Sequence, residues 1–134
     1  MKLRQVDFGV AWGASGVQGF FGEGYWFHKP LKPFGLRFNN ATFVAKTTTL
    51  NPREGNMPLT KQFTPQEWFP RCIIVKPLDG VVLNAVGLSG PGAMPLFYAN
   101  KWQKRQNPFF ISFMSVGETA DERITELDYF VSIV

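Results

Sequence analysis

Cysteine and histidine are scarce in this chain of 134 residues, which contains 1 of each. Cys72 therefore has no partner for a disulfide within the chain, a pattern typical of a reducing compartment. A structural zinc site needs about four ligands of this kind, so the sequence predicts no metal site. We assign Cys72 to packing, and we assign no catalytic role to His28 because no acid or nucleophile is an evident partner for it.

Long apolar runs and concentrated positive charge are also missing. No stretch approaches the roughly 18 apolar residues of a membrane span, and no apolar segment follows the charged start of the chain as in a signal peptide. The 14 Lys and Arg exceed the 10 Asp and Glu, but they are scattered along the sequence. We therefore expect a cytoplasmic protein that binds neither a membrane nor nucleic acid.

The segments that are present alternate as in an α/β protein. Apolar stretches predict buried strands at residues 6–12, 42–50 and 109–114. Helical patterns predict helices at residues 25–31, 93–106 and 118–134. Residues 73–76 and 81–84 flank an Asp-Gly turn and predict a hairpin, and Thr64 with Pro65 and Glu67 has the pattern of a helix start. This succession of strands, loops and helices predicts a parallel sheet.

The sequence also has features of an incomplete domain. Strands that are apolar on both faces need a sheet covered on both sides, yet the chain offers only about three of them, too few for such a sheet. The last predicted helix has no capping residue before the chain ends at Val134. We therefore expect residues 1–134 to be a single partial domain.

Four segments carry a resemblance to a known family. They are residues 13–16 (Gly-Ala-Ser-Gly), 46–56 (with Lys-Thr-Thr-Thr and Arg-Glu-Gly-Asn), 84–88 (Asn-Ala-Val-Gly-Leu) and 108–115, after which an acidic helix start follows. In this order the segments resemble the FMN-dependent dihydroorotate dehydrogenases, and the resemblance spans nearly all of the chain. The block at residues 46–56 is the most specific of the four.

The resemblance implies the N-terminal part of a (β/α)8 TIM barrel, with FMN across the C-terminal ends of its strands. General barrel architecture agrees, because ligand groups lie on the loops that follow the strands. The implied function is a flavin oxidoreductase of pyrimidine biosynthesis, in which a dihydropyrimidine-type substrate gives hydride to FMN. The implied catalytic base and flavin phosphate site would lie beyond Val134, so we expect negligible turnover by this chain alone.

The resemblance also implies which residues hold the cofactor. Ala14, Ser15 and Gly16 would let the backbone approach the flavin closely, although they also suit an ordinary strand-to-helix turn. Lys46 would lie beside the flavin pyrimidine ring and the substrate carboxylate; the alternative is a lysine that reaches solvent beyond its strand. Thr47 is equally suited to bonding the flavin and to capping the next segment.

Substrate contacts are implied for a second group of residues. Lys46 and Asn84 would position a pyrimidine-like small molecule, together with the backbone N–H groups around Val86, Gly87 and Leu88. The sequence departs from the family directly afterwards, where residues 89–90 are Ser-Gly instead of the usual Pro-Asn. This change removes an amide side chain near the substrate and leaves a related planar substrate open as an alternative to orotate.

A second class of function remains open on the sequence. Two-sided apolar strands would leave an unpaired sheet edge and apolar surface for a partner. The chain would then be a non-catalytic half-barrel that assembles with itself, as a homo-oligomer, or with another chain such as the remainder of the barrel. An α/β-hydrolase is not favoured, because no Gly-x-Ser-x-Gly segment is present.

Overall fold

The structure is a computed structural model that describes residues 1–35, 38 and 41–134. Its elements are short. The strands are β1 (Lys2–Leu3), β2 (Val6–Asp7), β3 (Phe43–Val44), β4 (Ile73–Lys76), β5 (Val81–Asn84) and β6 (Phe109–Phe110). The helices are α1 (His28–Leu31), followed by a 3-10 turn at Lys32–Phe34, then α2 (Ala93–Tyr98) and α3 (Ala120–Ile133). The described strands form 3 two-stranded sheets and no closed barrel.

The centre of the fold is a set of parallel segments from three parts of the chain. Strand β3 pairs in parallel with β6, with Phe43 opposite Phe109. On the other side of the same segment, Trp12 forms a parallel bridge with Thr42, and Thr42 N donates to Ala11 O at 2.9 Å. The three segments therefore lie side by side in the order in which they occur in the sequence. Parallel neighbours of this kind are joined by crossover connections.

The main core covers this parallel set. Its buried members come from the first loop, β3, α2 and the segment after α2: Phe20, Phe43, Ala45, Leu96 and Trp102. Trp102 also donates its indole N–H to Phe20 O at 2.7 Å, which satisfies the indole's polar group inside the core.

Among the described residues of helix α3, Phe130 is the buried side chain. Phe130 stacks on Phe113 with ring centroids 4.0 Å apart. The helix begins with a capping box, in which Thr119 Oγ1 accepts from Glu122 N and the Glu122 carboxylate accepts from Thr119 N. The predicted helix at residues 118–134 is therefore confirmed, with ends displaced by one or two residues.

The hairpin is confirmed with its predicted bounds, residues 73–76 and 81–84. Ile73 pairs with Asn84 and Lys76 pairs with Val81 in antiparallel register. Burial differs from the expectation for apolar strands, because Val75 is 60% exposed and Val82 is 59% exposed. Both faces of this hairpin are largely open.

Several other sequence predictions differ from the structure. The strands expected at residues 42–50 and 109–114 are regular over Phe43–Val44 and Phe109–Phe110, and the helix expected at residues 25–31 covers His28–Leu31. Residues 6–12 were expected to form a buried strand, but β2 covers two residues and Val10 is fully exposed. The expected helix start at Thr64 is wrong, because Gln66 N donates to Pro58 O and closes a loop instead. The helix predicted to reach residue 106 ends at Tyr98. It cannot continue because Asn100, two residues later, has a positive φ of 53°.

One further property concerns the helices. Across residues 1–35, 38 and 41–134, none is both long enough and apolar enough to cross a membrane.

Candidate functional site

Residues 42–48 form the second of the three parallel segments. Relative to its neighbour, residues 109–113, this segment contains one extra residue, which lies where the predicted site begins. Before it, Phe43 and Val44 stand opposite Phe109 and Phe110. After it, Thr48 stands opposite Phe113, so that four steps along one segment match three along the other. Such a bulge re-aims the side chains next to it and is frequent beside active sites. Here it lies within residues 45–47, which include Lys46 and Thr47.

Hydroxyl groups from all three parallel segments meet beside the bulge. Ser15 Oγ lies 2.8 Å from Thr47 Oγ1, and Thr47 Oγ1 lies 2.9 Å from Ser112 Oγ. Ser15 Oγ also donates to Ala45 O at 3.0 Å. We call Ser15, Thr47 and Ser112 the hydroxyl row. It crosses the three segments close to their C-terminal ends, where ligands bind in parallel α/β folds.

Lys46 is buried beside the first loop. Its side chain is 9% exposed, and its ammonium donates to Ser89 O at 2.6 Å. The ammonium also lies 4.9 Å from the centre of the Phe20 ring. A Cβ atom at Gly16 would lie 3.5 Å from Lys46 Cγ, so the backbone at Gly16 packs directly against the lysine side chain.

This environment changes the acidity of Lys46. Burial lowers its pKa from the ordinary 10.5 to about 8, and neighbouring Cys72 partly offsets that shift. Among the described residues its ammonium makes one hydrogen bond, whereas an ammonium can donate three. Lys46 is therefore a costly cation with unused donors, held at the end of the second parallel segment.

The two loops of the resemblance, residues 46–56 and 84–88, pack against each other. Asn56 donates its backbone N–H to Val86 O at 2.9 Å and its side-chain amide to Ala85 O at 2.7 Å. Gly55 has a φ of +55°, and a Cβ atom there would lie 2.6 Å from Val86 O and 2.9 Å from Gly87 O. Only glycine fits this contact.

The departure from the family pattern lies in this same junction. Ser89 is fully buried, and its hydroxyl accepts from Met57 N at 3.0 Å while donating to Val86 O at 2.9 Å. Gly90 exchanges two backbone hydrogen bonds with Arg53, both at 2.9 Å. Ser89 and Gly90 therefore close the junction, and the backbone oxygen of Ser89 holds Lys46.

The predicted site residues do not all come together. Gly16, Ser15, Thr47 and Lys46 converge around the bulge. Val86 and Gly87 lie in the junction, and Leu88 follows with a φ of +59°. Ser89 connects these residues to Lys46, because its backbone oxygen accepts from the Lys46 ammonium and its hydroxyl donates to Val86 O.

Two of the predicted residues stand apart. Asn84 is exposed at the end of β5, opposite Ile73, and within the described residues no side-chain hydrogen bond joins it to Lys46 or to the hydroxyl row. Ala14 is exposed beside Ser15, and its backbone oxygen accepts from Val17 N.

Sequence reasoning missed Ser112 and Ser89. Ser112 lies within the apolar strand predicted at residues 109–114, and its hydroxyl among Phe-Phe-Ile-Ser-Phe-Met is the signal that one side chain has a polar partner. The sequence comparison shows Ser89 only as a departure from the family pattern and does not reveal that it holds Lys46 and closes the junction. Its position within the sequence block that resembles the substrate loop was the available signal.

Neither a search for metal-binding groups nor comparison with known proteins adds a residue to the site. Within residues 1–35, 38 and 41–134, no group of three or more His, Cys, Asp or Glu is placed to hold a metal ion. No protein-family model, curated protein or solved structure matches this chain.

Proposed function

We propose that this chain supplies the flavin-facing part of an FMN-dependent oxidoreductase similar to the dihydroorotate dehydrogenases. In this proposal the three parallel segments are the first strands of a (β/α)8 barrel, and the small substrate is a planar, pyrimidine-like carboxylate. Their side-by-side order, which follows the sequence, is the order that such a barrel needs.

The hydrogen bond between Ser15 and Thr47 carries the proposal. It joins two segments that are 32 residues apart in sequence, and these are the two segments that the resemblance assigns to the flavin. They meet next to Lys46 and at the C-terminal ends of the strands, where barrel enzymes bind their cofactors.

The residues present fit the pyrimidine end of a flavin. Ser15 is exposed while Thr47 and Ser112 are half-buried, so their hydroxyls are accessible to a ligand. Gly16 adds no side chain above Lys46, where a Cβ would already reach van der Waals contact. The unused donors of the Lys46 ammonium suit the carbonyl oxygens of such a ring. We propose no residue of this chain for the flavin phosphate.

FMN, when bound, supplies the capacity to accept a hydride. The residues of this chain bind and orient. Lys46 places a positive charge where negative charge develops on reduction, in a site from which burial has removed most water. The backbone groups of residues 86–88, fixed by Asn56 and Gly55, would hold the substrate carboxylate. We place no catalytic acid or base within residues 1–134.

A direct test is flavin retention. Purified protein is incubated with FMN, free ligand is removed, and the visible absorption spectrum is recorded. We expect a retained flavin spectrum that is lost in Lys46→Ala and kept in Lys61→Ala, which removes an exposed lysine outside the proposed site. The incubation uses FMN in the millimolar range. Absence of retained flavin in the wild type after this incubation would contradict the proposal.

The hairpin favours a second candidate, a non-catalytic assembly module. Its apolar side chains are open on both faces, with Ile74 at 55% and Leu83 at 56% exposure in addition to Val75 and Val82. Large exposed apolar surfaces of this kind mark protein–protein contacts. The occupants proposed are a second copy of the chain or the remainder of a barrel. Flavin retention by an assembled species would unite the two candidates, whereas assembly without flavin would favour the module alone.

A further inference from the structure

Arg105 is held against the N-terminal end of the parallel set. Its guanidinium lies 4.2 Å from the centre of the Phe43 ring and 5.4 Å from that of Phe109, the residues that begin β3 and β6. Its Nη1 atom donates to Phe21 O at 3.0 Å. The hydroxyl row lies further along the same segments, towards their C-terminal ends. Arg105 therefore belongs to a separate region of the molecule.

The first loop leaves room for this guanidinium and does not neutralise it. Gly22 has a φ of +88°, and a Cβ atom there would lie 2.9 Å from Arg105 Nη1, so a larger residue would push the guanidinium away. The acid of this loop is Glu23, whose carboxylate accepts from Phe20 N at 3.1 Å and from Phe21 N at 2.7 Å. Glu23 thus satisfies the backbone donors of its own loop and forms no ion pair with Arg105.

The positive charge of Arg105 is poorly compensated. Across the part of the chain that the structure describes, no carboxylate pairs with it, and its Nε atom is buried without a hydrogen-bond partner. Contact with two aromatic rings removes water from the guanidinium, and this burial lowers the pKa of Arg105. A guanidinium carries several N–H donors, and the bond to Phe21 O uses one of them. An anion at this position would gain donors and charge that the protein leaves unused.

Two lysines add to the charge of Arg105. Lys101 Nζ lies 4.7 Å from the centre of the Phe21 ring, so Lys101 and Arg105 contact the ring and the backbone oxygen of one residue. Lys104 directly precedes Arg105, and both lysines are exposed. We call Lys101, Lys104 and Arg105 the basic cluster. Within residues 1–35, 38 and 41–134 none of the three forms an ion pair, which favours a ligand with more than one negative charge.

We propose that the basic cluster binds a dianionic oxyanion of the phosphate class. The planar fork of a guanidinium matches the oxygens of a phosphate, and a phosphate monoester carries a charge of about −1.5 to −2 at neutral pH. The aromatic rings beside the cluster limit the water that would weaken this attraction. The site is separate from Lys46 and the hydroxyl row, and it does not depend on the proposed function.

The test is calorimetric titration of the full chain with inorganic phosphate and, separately, with phenyl phosphate, at an ionic strength kept constant with chloride. We expect the wild type to bind with a dissociation constant of about 1 mM or below. An affinity for phenyl phosphate about tenfold higher would identify a phosphate monoester as the ligand, whereas an equal or lower one would identify free phosphate. Arg105→Lys keeps the charge and removes the fork, so it should weaken phosphate binding about tenfold.

A second pair of variants separates the cluster from general surface charge. Lys101→Gln with Lys104→Gln removes two exposed charges of the cluster and should weaken phosphate binding by a similar factor. Lys61→Gln with Lys76→Gln removes two exposed charges elsewhere and should bind like the wild type. Phosphate should also raise the melting temperature of the wild type and of this control more than that of the cluster variants.

Two results would overturn the proposal. One is a wild type that does not bind phosphate, and the other is a cluster variant that binds phosphate as tightly as the matched control. The lysine double variant decides the outcome if Arg105→Lys does not fold, because its two substitutions lie at exposed positions.

Discussion

Lys46 is the residue at which stability and the proposed chemistry oppose each other. An ammonium held by one hydrogen bond in a buried position is poorly compensated for the water it has lost. Burial lowers the pKa of Lys46 for the same reason. A residue retained only for packing would be more stable as an apolar side chain of similar length, so the cost is the expected signature of a residue kept for binding.

This cost gives stability a defined pH dependence. Because the pKa of Lys46 is about 8 in the folded chain and 10.5 ordinarily, the unfolded chain binds the proton more tightly. The cost is fully present below pH 8 and is relieved as pH rises towards 10.5. Lys46→Met should therefore be more stable than the wild type at pH 7, by roughly 2 kcal/mol once the lost Ser89 hydrogen bond is deducted.

The measurement is the free energy of unfolding by urea at a series of pH values. The advantage of Lys46→Met should shrink above pH 8, vanish at about pH 9.5 and reverse by about pH 10.5, where the wild type keeps the Ser89 hydrogen bond without the cost of a buried charge. Lys61→Met, at an exposed position, should follow the wild-type profile throughout. Parallel profiles for the wild type and Lys46→Met would show that Lys46 is not buried in its charged form.

At the scale of elements, the junction between residues 51–57 and 84–90 fixes the backbone that is proposed to bind the substrate carboxylate. It is built from backbone hydrogen bonds and the close approach at Gly55. Gly55→Ala should lower the free energy of unfolding by about 2–4 kcal/mol, because it adds a collision with two carbonyl oxygens to the strain of a positive φ. Gly80→Ala is the matched control.

Gly80 also has a positive φ, of 64°, but nothing lies within 4 Å of its Cβ position. Its substitution should cost only about 1 kcal/mol of backbone strain. The difference between the two variants, measured by urea unfolding, isolates the contact between the loops. Equal losses would mean that the loops do not touch at Gly55 in solution.

The elements also show what the sequence could and could not reveal. Local signals were sufficient to predict the hairpin, whose register is fixed by its Asp-Gly turn. They were also sufficient to predict α3, which begins with a capping box formed by Thr119 and Glu122. Thr64 carried an equally good local cap, yet the bond from Gln66 N to Pro58 O prevailed. The bulge was unpredictable because it depends on pairing with residues 109–113, far away in sequence. Ser112 was missed for the same reason.

At the scale of the whole molecule, apolar surface is unevenly distributed. The core cluster includes Phe43 and Ala45 of the parallel set, whereas the hairpin and much of α3 present large apolar side chains to solvent. Ile124 is 57% exposed and Val131 is 64% exposed, and Phe130 is the buried residue of that helix among those described. Surfaces of this extent favour association.

Self-association through the hairpin can be tested with a charge-balanced double variant. Val75 and Val82 are cross-strand partners, so Val75→Lys with Val82→Glu replaces apolar surface by an ion pair and preserves the hairpin. We expect sedimentation velocity to show a concentration-dependent oligomer for the wild type and a monomer for this variant. Gln106→Glu with Asn107→Lys, at exposed positions, should behave like the wild type. A wild type that stays monomeric across the concentration series would contradict the expectation.

The bulge divides the second parallel segment into two stretches with separate registers. Phe43 and Ala45, before or at the change, are tied to the core, whereas Thr47 and the residues after it are tied to loops and hydroxyl partners. The extra residue absorbs the offset between the two stretches. If the proposed function holds, substitutions around Thr47 would change ligand contacts without shifting the register of Phe43 against Phe109.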